Sequence, residues 1–178
     1  MQTPEHAPGQ GVFSHNAVTA TRGERGGSGA RFAVVVARFN QRITESLYSS
    51  AIDVLIEAGA QPDNIMAVQV PGAVEIPLAA LELAQTERYA AIVVLGCVIR
   101  GETAHFDYVC SSVTDGCLRV QLDTGVPIGF GVITAETVDQ AVARSTEARE
   151  SGGRHNVGAS AAYAALEMAG MIRSIRGS

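Results

Sequence analysis

The chain has 178 residues, of which 47% are hydrophobic, 17% charged and 5% aromatic, enough to bury one α/β domain and too short for two. Its net charge is −5 and all 13 of its cationic residues are Arg, so it lacks both a basic nucleic-acid footprint and any lysine for a P-loop, a pyridoxal phosphate link or a Schiff base. Cys97, Cys110 and Cys117 show no CxxC spacing, which removes the usual zinc and dithiol motifs, and no apolar run reaches the ~18 residues of a membrane span.

Residues 1–30 are rich in Gly and Pro and poor in core-forming side chains, and they lack the basic-then-apolar order of a signal peptide. They read as a flexible N-terminal tail ahead of a domain over 31–178. Within the tail, Gly11–Ala17, with Val12 and Phe13, reads as an edge strand for a partner. The odd count of three cysteines fits a reducing compartment, so the expected location is cytoplasmic.

From Phe32 the pattern changes. Phe32–Ala37 is a continuous apolar run, the mark of a strand buried on both faces. Ile43–Ala58 repeats its apolar residues at helical spacing and is stopped by Gly59. Ile65–Val70 is a second strand and Pro77–Gln85 a helix with proline in its first turn. Ala90–Leu95 forms a third strand, followed by a helix from about Ala104 to Leu122 with Thr103 as N-cap. Ile128–Thr134 is the fourth strand, and Glu136–Glu147 and Val157–Arg173 are the last helices. Strict strand–helix alternation predicts an α/β fold, a single doubly wound domain: a four-stranded parallel sheet with helices on both faces, a flavodoxin-like three-layer sandwich.

In such sheets ligands sit beyond the carboxyl ends of the strands. That rule selects Arg38–Asn40, Pro71–Ile76, Gly96–His105 and Phe130–Thr134, where the polar and glycine-rich residues gather. Gly101, Glu102 and Thr103 open a helix with free N–H groups, either an ordinary strand-to-helix turn or a phosphate cradle, with the Glu102 charge opposing an anion. His105, just inside that helix, is either a solvated histidine or a proton-transfer group. Glu75, between apolar residues and two prolines, either satisfies a helix dipole or grips ligand hydroxyls and amides. Phe39 beside Asn40 offers a flat ring and an amide to a heteroaromatic ligand, or simply packs. Arg144 is a surface charge or a phosphate clamp. No further His or carboxylate stands at metal-ligand spacing, so no metal is expected.

Four segments in this order, Ala37–Asn40, Pro71–Pro77, Gly96–Val109 and Gly131–Thr134, resemble the lumazine synthase family of riboflavin biosynthesis, over about residues 31–173. The resemblance implies condensation of 5-amino-6-(D-ribitylamino)uracil with 3,4-dihydroxy-2-butanone 4-phosphate to 6,7-dimethyl-8-ribityllumazine, with loss of phosphate and water and no cofactor. It implies that Phe39 stacks on the pyrimidine and that Asn40 and Glu75 hold the ribityl chain. Ala73, Val74, Cys97, Val98 and Ile99 would line that pocket, while Gly101, Glu102 and Thr103 bind phosphate and His105 transfers protons. Phe130 and the phosphate-binding Arg144 would come from the neighbouring subunit of a homopentamer whose sites lie between adjacent subunits. A functional link to riboflavin synthase follows; neither a nucleic acid nor a membrane is an expected partner. The chain departs from the family in Ser145–Asn156, which is longer than usual, and in Val157, which stands where a lysine is common; Arg154 or His155 are the candidates to substitute. The competing readings are a non-catalytic flavin- or lumazine-binding protein and an assembly-forming shell protein.

Overall fold

The computed structural model describes residues 14, 15, 17–146 and 156–177. Its main sheet is four-stranded and wholly parallel, built from β3 (Phe32–Ala37), β4 (Ile65–Val70), β5 (Ala91–Ile99) and β6 (Ile128–Ala135) in the order β4-β3-β5-β6. A short antiparallel pair, β1 (Ser14–His15) with β2 (Val18–Thr19), precedes it. The segment read as an edge strand for a partner thus pairs, at Ser14 and His15, within the chain; Val12 and Phe13 lie outside the described residues. Among the described residues, five α-helices cover the sheet: α1 (Gln41–Glu57), α2 (Ile76–Gln85), α3 (His105–Thr124), α4 (Val138–Ser145) and α5 (Val157–Arg176).

The apolar runs of β3 and β5 are explained by burial on both sides. Phe32, Val34 and Val36 join Val93, Leu95 and Cys97 beneath α1, α4 and α5. Ala33, Val35 and Ala37 join Ile92 and Val94 beneath α2 and α3. Period-two alternation therefore feeds two cores, and every residue of β3 is buried. On the first face the backbones of α1 and α5 come so close that a Cβ at Gly158 would land on the Leu47 carbonyl. Asn156 opens α5 by accepting from the Gly158 and Ala159 N–H groups at 2.8 and 3.2 Å, and its own amide donates to the Ser145 carbonyl at 2.8 Å.

Several element ends differ from expectation: the helix expected over Glu136–Glu147 runs only over Val138–Ser145 among the described residues, and two differences bear on the site. β5 does not stop at Leu95: Gly96–Ile99 continue it, paired with Val132–Ala135 of β6. Nor is Thr103 the N-cap of α3, a place taken by Ala104, and the Thr103 hydroxyl only meets the His105 N–H at 3.4 Å. Residues 22–30, read from sequence as the end of a tail, lie against the body. Arg22 and Arg25 both donate to the Glu167 carboxylate of α5, at 3.0, 3.1 and 2.8 Å, and Arg25 stacks 5.1 Å from the Tyr163 ring centre. The Gly27 N–H donates to the Ala58 carbonyl at 2.8 Å. Charge and close backbone approach hold this stretch, which hydrophobic patterning does not register.

Candidate active site

The strand order puts the topological switch between β3 and β5, and a cleft opens at their carboxyl ends. It is a cavity of about 470 Å³ lined by Phe39, Asn40, Gly72, Ala73, Val74, Glu75, Cys97, Val98, Ile99, Gly101, Thr103, His105, Phe106 and Val109. Three of the four strand-end segments selected from sequence meet there.

The β3 end contributes Phe39 and Asn40. Asn40 has φ 57° and ψ 45°, the left-handed conformation that Asn tolerates better than most residues, and this turns the chain sharply into α1. Its carbonyl accepts from the Ile43 and Thr44 N–H groups, and its side-chain amide donates to the Cys97 carbonyl at 2.9 Å. Phe39, displayed by the same turn, is 70% exposed at the cavity mouth, a place for stacking and not for core packing.

β5 outruns β3: its last β3 partner is Leu95, so the backbone edge of Cys97–Ile99 faces the cavity instead of a strand. Such an edge offers alternating N–H donors and C=O acceptors to a planar amide-like ring. Burial pushes the Cys97 thiol up to about 11, so it stays protonated at neutral pH and is a wall, not a nucleophile. Opposite, the turn after β4 folds back so that the Gly72 N–H donates to Glu75 Oε2 at 2.9 Å. That bond orients the carboxylate and leaves its other oxygen free among the described residues.

The third wall is the turn from β5 into α3. The N–H groups of Gly101, Glu102 and Thr103 have no acceptor among the described residues, and a twenty-residue helix points its positive end at the cavity. Arg100 forms ion pairs beside this turn with Asp107 and Glu136. The hydrogen bond from Arg100 holds the Asp107 carboxyl below the usual carboxylate range.

Three expected site residues are not brought together with the rest. Glu102 is exposed off the cavity wall. Phe130 stands on β6 against Val94, 38% exposed, and Arg144 sits on α4 with its guanidinium donating to the Gln140 carbonyl at 3.3 Å. Neither reaches this chain's cavity. Arg154 and His155 lie outside the described residues. Gly72, Phe106 and Val109 lie within segments marked from the sequence but were not singled out as site residues; Val109 was within reach, because it follows His105 by four residues and so shares its helix face. Among the described residues no group of three or more His, Cys, Asp or Glu could hold a metal ion, and no helix is long and apolar enough to cross a membrane.

A family-wide sequence profile described as 6,7-dimethyl-8-ribityllumazine synthase matches residues 29–173. A protein of that name from Salinibacter ruber is 48% identical over 149 residues, 84% of this chain and 92% of its own. Another from Desulfotalea psychrophila is 46% identical over 148 residues, 83% and 92% of the respective chains.

Proposed function

The chain belongs to the 6,7-dimethyl-8-ribityllumazine synthase family, and we propose that the cavity beyond β3 and β5 is where it condenses 5-amino-6-(D-ribitylamino)uracil with 3,4-dihydroxy-2-butanone 4-phosphate. It is an enzyme, a transferase of riboflavin biosynthesis. The observation that carries the assignment of the site is the meeting, in one cavity, of an open backbone edge, an exposed aromatic ring, a fixed carboxylate and an anion-favouring helix start.

Each wall then has a task. Phe39 stacks on the pyrimidine while the Cys97–Ile99 backbone reads its amide edge, with Ala73 and Val74 closing the apolar side. Asn40 and Glu75 hold the ribityl hydroxyls. The turn at Gly101–Thr103 receives the phosphate of the second substrate. Imine formation joins the amino group of one substrate to the carbonyl of the other with loss of water, so the protein needs no lysine. Phosphate then leaves and the second nitrogen closes the ring with loss of a further water. His105, at the cavity edge, moves the protons of these steps.

Phe130 and Arg144 belong to this scheme only through a neighbouring copy. A homopentamer with sites between adjacent subunits would bring Arg144 to the phosphate and Phe130 to the pyrimidine. Exposed apolar residues on α2 and α3, among them Leu78, Tyr108, Leu118 and Leu122, support burial against another copy. The cavity lies wholly within residues 31–178, the proposed domain. We place the enzyme in the cytoplasm, with riboflavin synthase as the consumer of its product.

The test is formation of the fluorescent lumazine from the two substrates, corrected for the uncatalysed condensation. Wild type should exceed background clearly, and His105→Ala should lose about 100- to 10,000-fold in kcat, the usual contribution of general acid–base help. A protein that binds lumazine tightly yet adds nothing to the background rate would replace the enzyme with a binding protein.

A further inference from the structure

The turn that carries His105 has little to hold it in place by itself. The amides of residues 101–103 have no acceptor among the described residues, and the single contact inside the turn, from the His105 N–H to Thr103 Oγ1, is 3.4 Å long. Its brace comes from Arg100, immediately after β5. The Arg100 N–H donates to the Ala135 carbonyl at 2.9 Å, extending the pairing of β5 with β6. Its guanidinium then forks. Nε donates to the Glu136 carboxylate at 2.6 Å, just past β6, while the two terminal nitrogens donate to the two Asp107 oxygens at 3.0 and 3.3 Å, in the first turn of α3. The face of the same group lies over the Phe106 ring, 4.1 Å from its centre, and Phe106 lines the cavity between His105 and Val109.

We infer that Arg100 is a positioning residue for the phosphate side of the cavity, tying the end of β6, the first turn of α3 and the Phe106 wall into one rigid corner. The inference rests on the condensation proposed above. Two physical arguments support it. Only a planar fork of donors can serve two carboxylates and a ring at once, which a lysine ammonium cannot do. Moreover, a bare Asp107 carboxylate at the start of α3 would oppose an incoming phosphate, and the paired guanidinium offsets that charge while keeping the anchor. All three partners are partly exposed, so these ion pairs contribute little to folding; what they set is orientation.

The experiment compares the assembled wild-type enzyme with Arg100→Met, Arg100→Lys and Asp107→Asn, measuring KM for each substrate, kcat, thermal unfolding and calorimetric binding of inorganic phosphate. Arg100→Met and Asp107→Asn should each raise KM for the phosphate substrate and weaken inorganic phosphate by about 10- to 100-fold, the cost of a misplaced group. KM for the pyrimidine should stay within about twofold, because its walls are held by other bonds. Arg100→Lys should fall between wild type and Arg100→Met. Equal rises in both KM values, or losses that track unfolding, would reduce Arg100 to a structural residue and overturn the inference. A lysine variant indistinguishable from wild type would overturn the fork. A wild type with no turnover would sink the condensation reading itself, a failure visible before any variant is compared.

Discussion

The two sides of the cavity are built by different means. The side proposed for the pyrimidine is finished within one chain: Asn40 is bonded to the Cys97 carbonyl, Glu75 to the Gly72 N–H, and the open edge of β5 is locked on its far side to β6. The side proposed for the phosphate has a helix start and an almost unbonded turn beside the Arg100 ion pairs, while Arg144, the cation expected to bind phosphate, does not line the cavity. A planar ring can be read by a backbone edge that a sheet supplies at no extra cost. A phosphate dianion needs positive charge, and this chain has no lysine to offer near the turn. On the proposed reading, the fold completes one half of the site and leaves the other to a neighbouring copy.

The largest effect tests that division directly. His105→Ala and Arg144→Ala should each be nearly inactive alone, the first through kcat and the second through KM for the phosphate substrate. Unfolded together and refolded as mixed assemblies, about a quarter of the sites would combine an intact His105 with an intact Arg144 and recover activity. Absence of recovery would put both residues in one chain and break the comparison. A smaller effect sharpens the pyrimidine side. Asn40→Ala should lose about 2 kcal/mol of stability, combining the left-handed backbone cost with a lost hydrogen bond, whereas Asn40→Gly should recover the backbone part. Chemical denaturation separates the two, and equal losses would mean that the conformation carries no strain.

The smallest effect distinguishes the sides by acid. Asp107 has a lowered carboxyl pKa in the folded state because Arg100 bonds its charged form. Its contribution is therefore complete above the ordinary carboxylate value of about 3.9 and disappears as pH falls through the lowered folded value. The bond from Asn40 to the Cys97 carbonyl joins neutral groups and is indifferent to that change. As the pH falls below about 3.9, amide protection corrected for the intrinsic exchange rate should thus drop at Arg100 and Asp107, whose N–H groups bond the Ala135 and Ala104 carbonyls, before it drops near Asn40. Simultaneous loosening would show that the brace does not act locally.

How much of this was legible beforehand follows from the range of each interaction. Strands and helices came from local periodicity, which is why β3 and β4 begin and end where the pattern says and α1, α3 and α5 shift by a turn or less. The strand-end rule gathered most of the cavity wall, because it depends on topology that alternation already implies. What sequence missed depends on partners far along the chain. Gly96 reads locally as a strand end, yet β5 runs on to Ile99 because β6 pairs with it there. Arg100 falls within a strand-end segment, but its role stays hidden in the sequence, since Asp107 lies seven residues away and Glu136 thirty-six.

The residues by themselves determined that this is a Lys-free α/β chain with its polar chemistry at the strand ends and the motifs of one family. Only the tertiary structure decided which of those residues share a cavity, that Arg100 joins Asp107 to Glu136 beside it, and that Phe130 and Arg144 stand apart from it. The reason is that composition and periodicity are properties of neighbours in sequence, whereas a site is made by groups whose distance is set by pairing and packing across the whole fold.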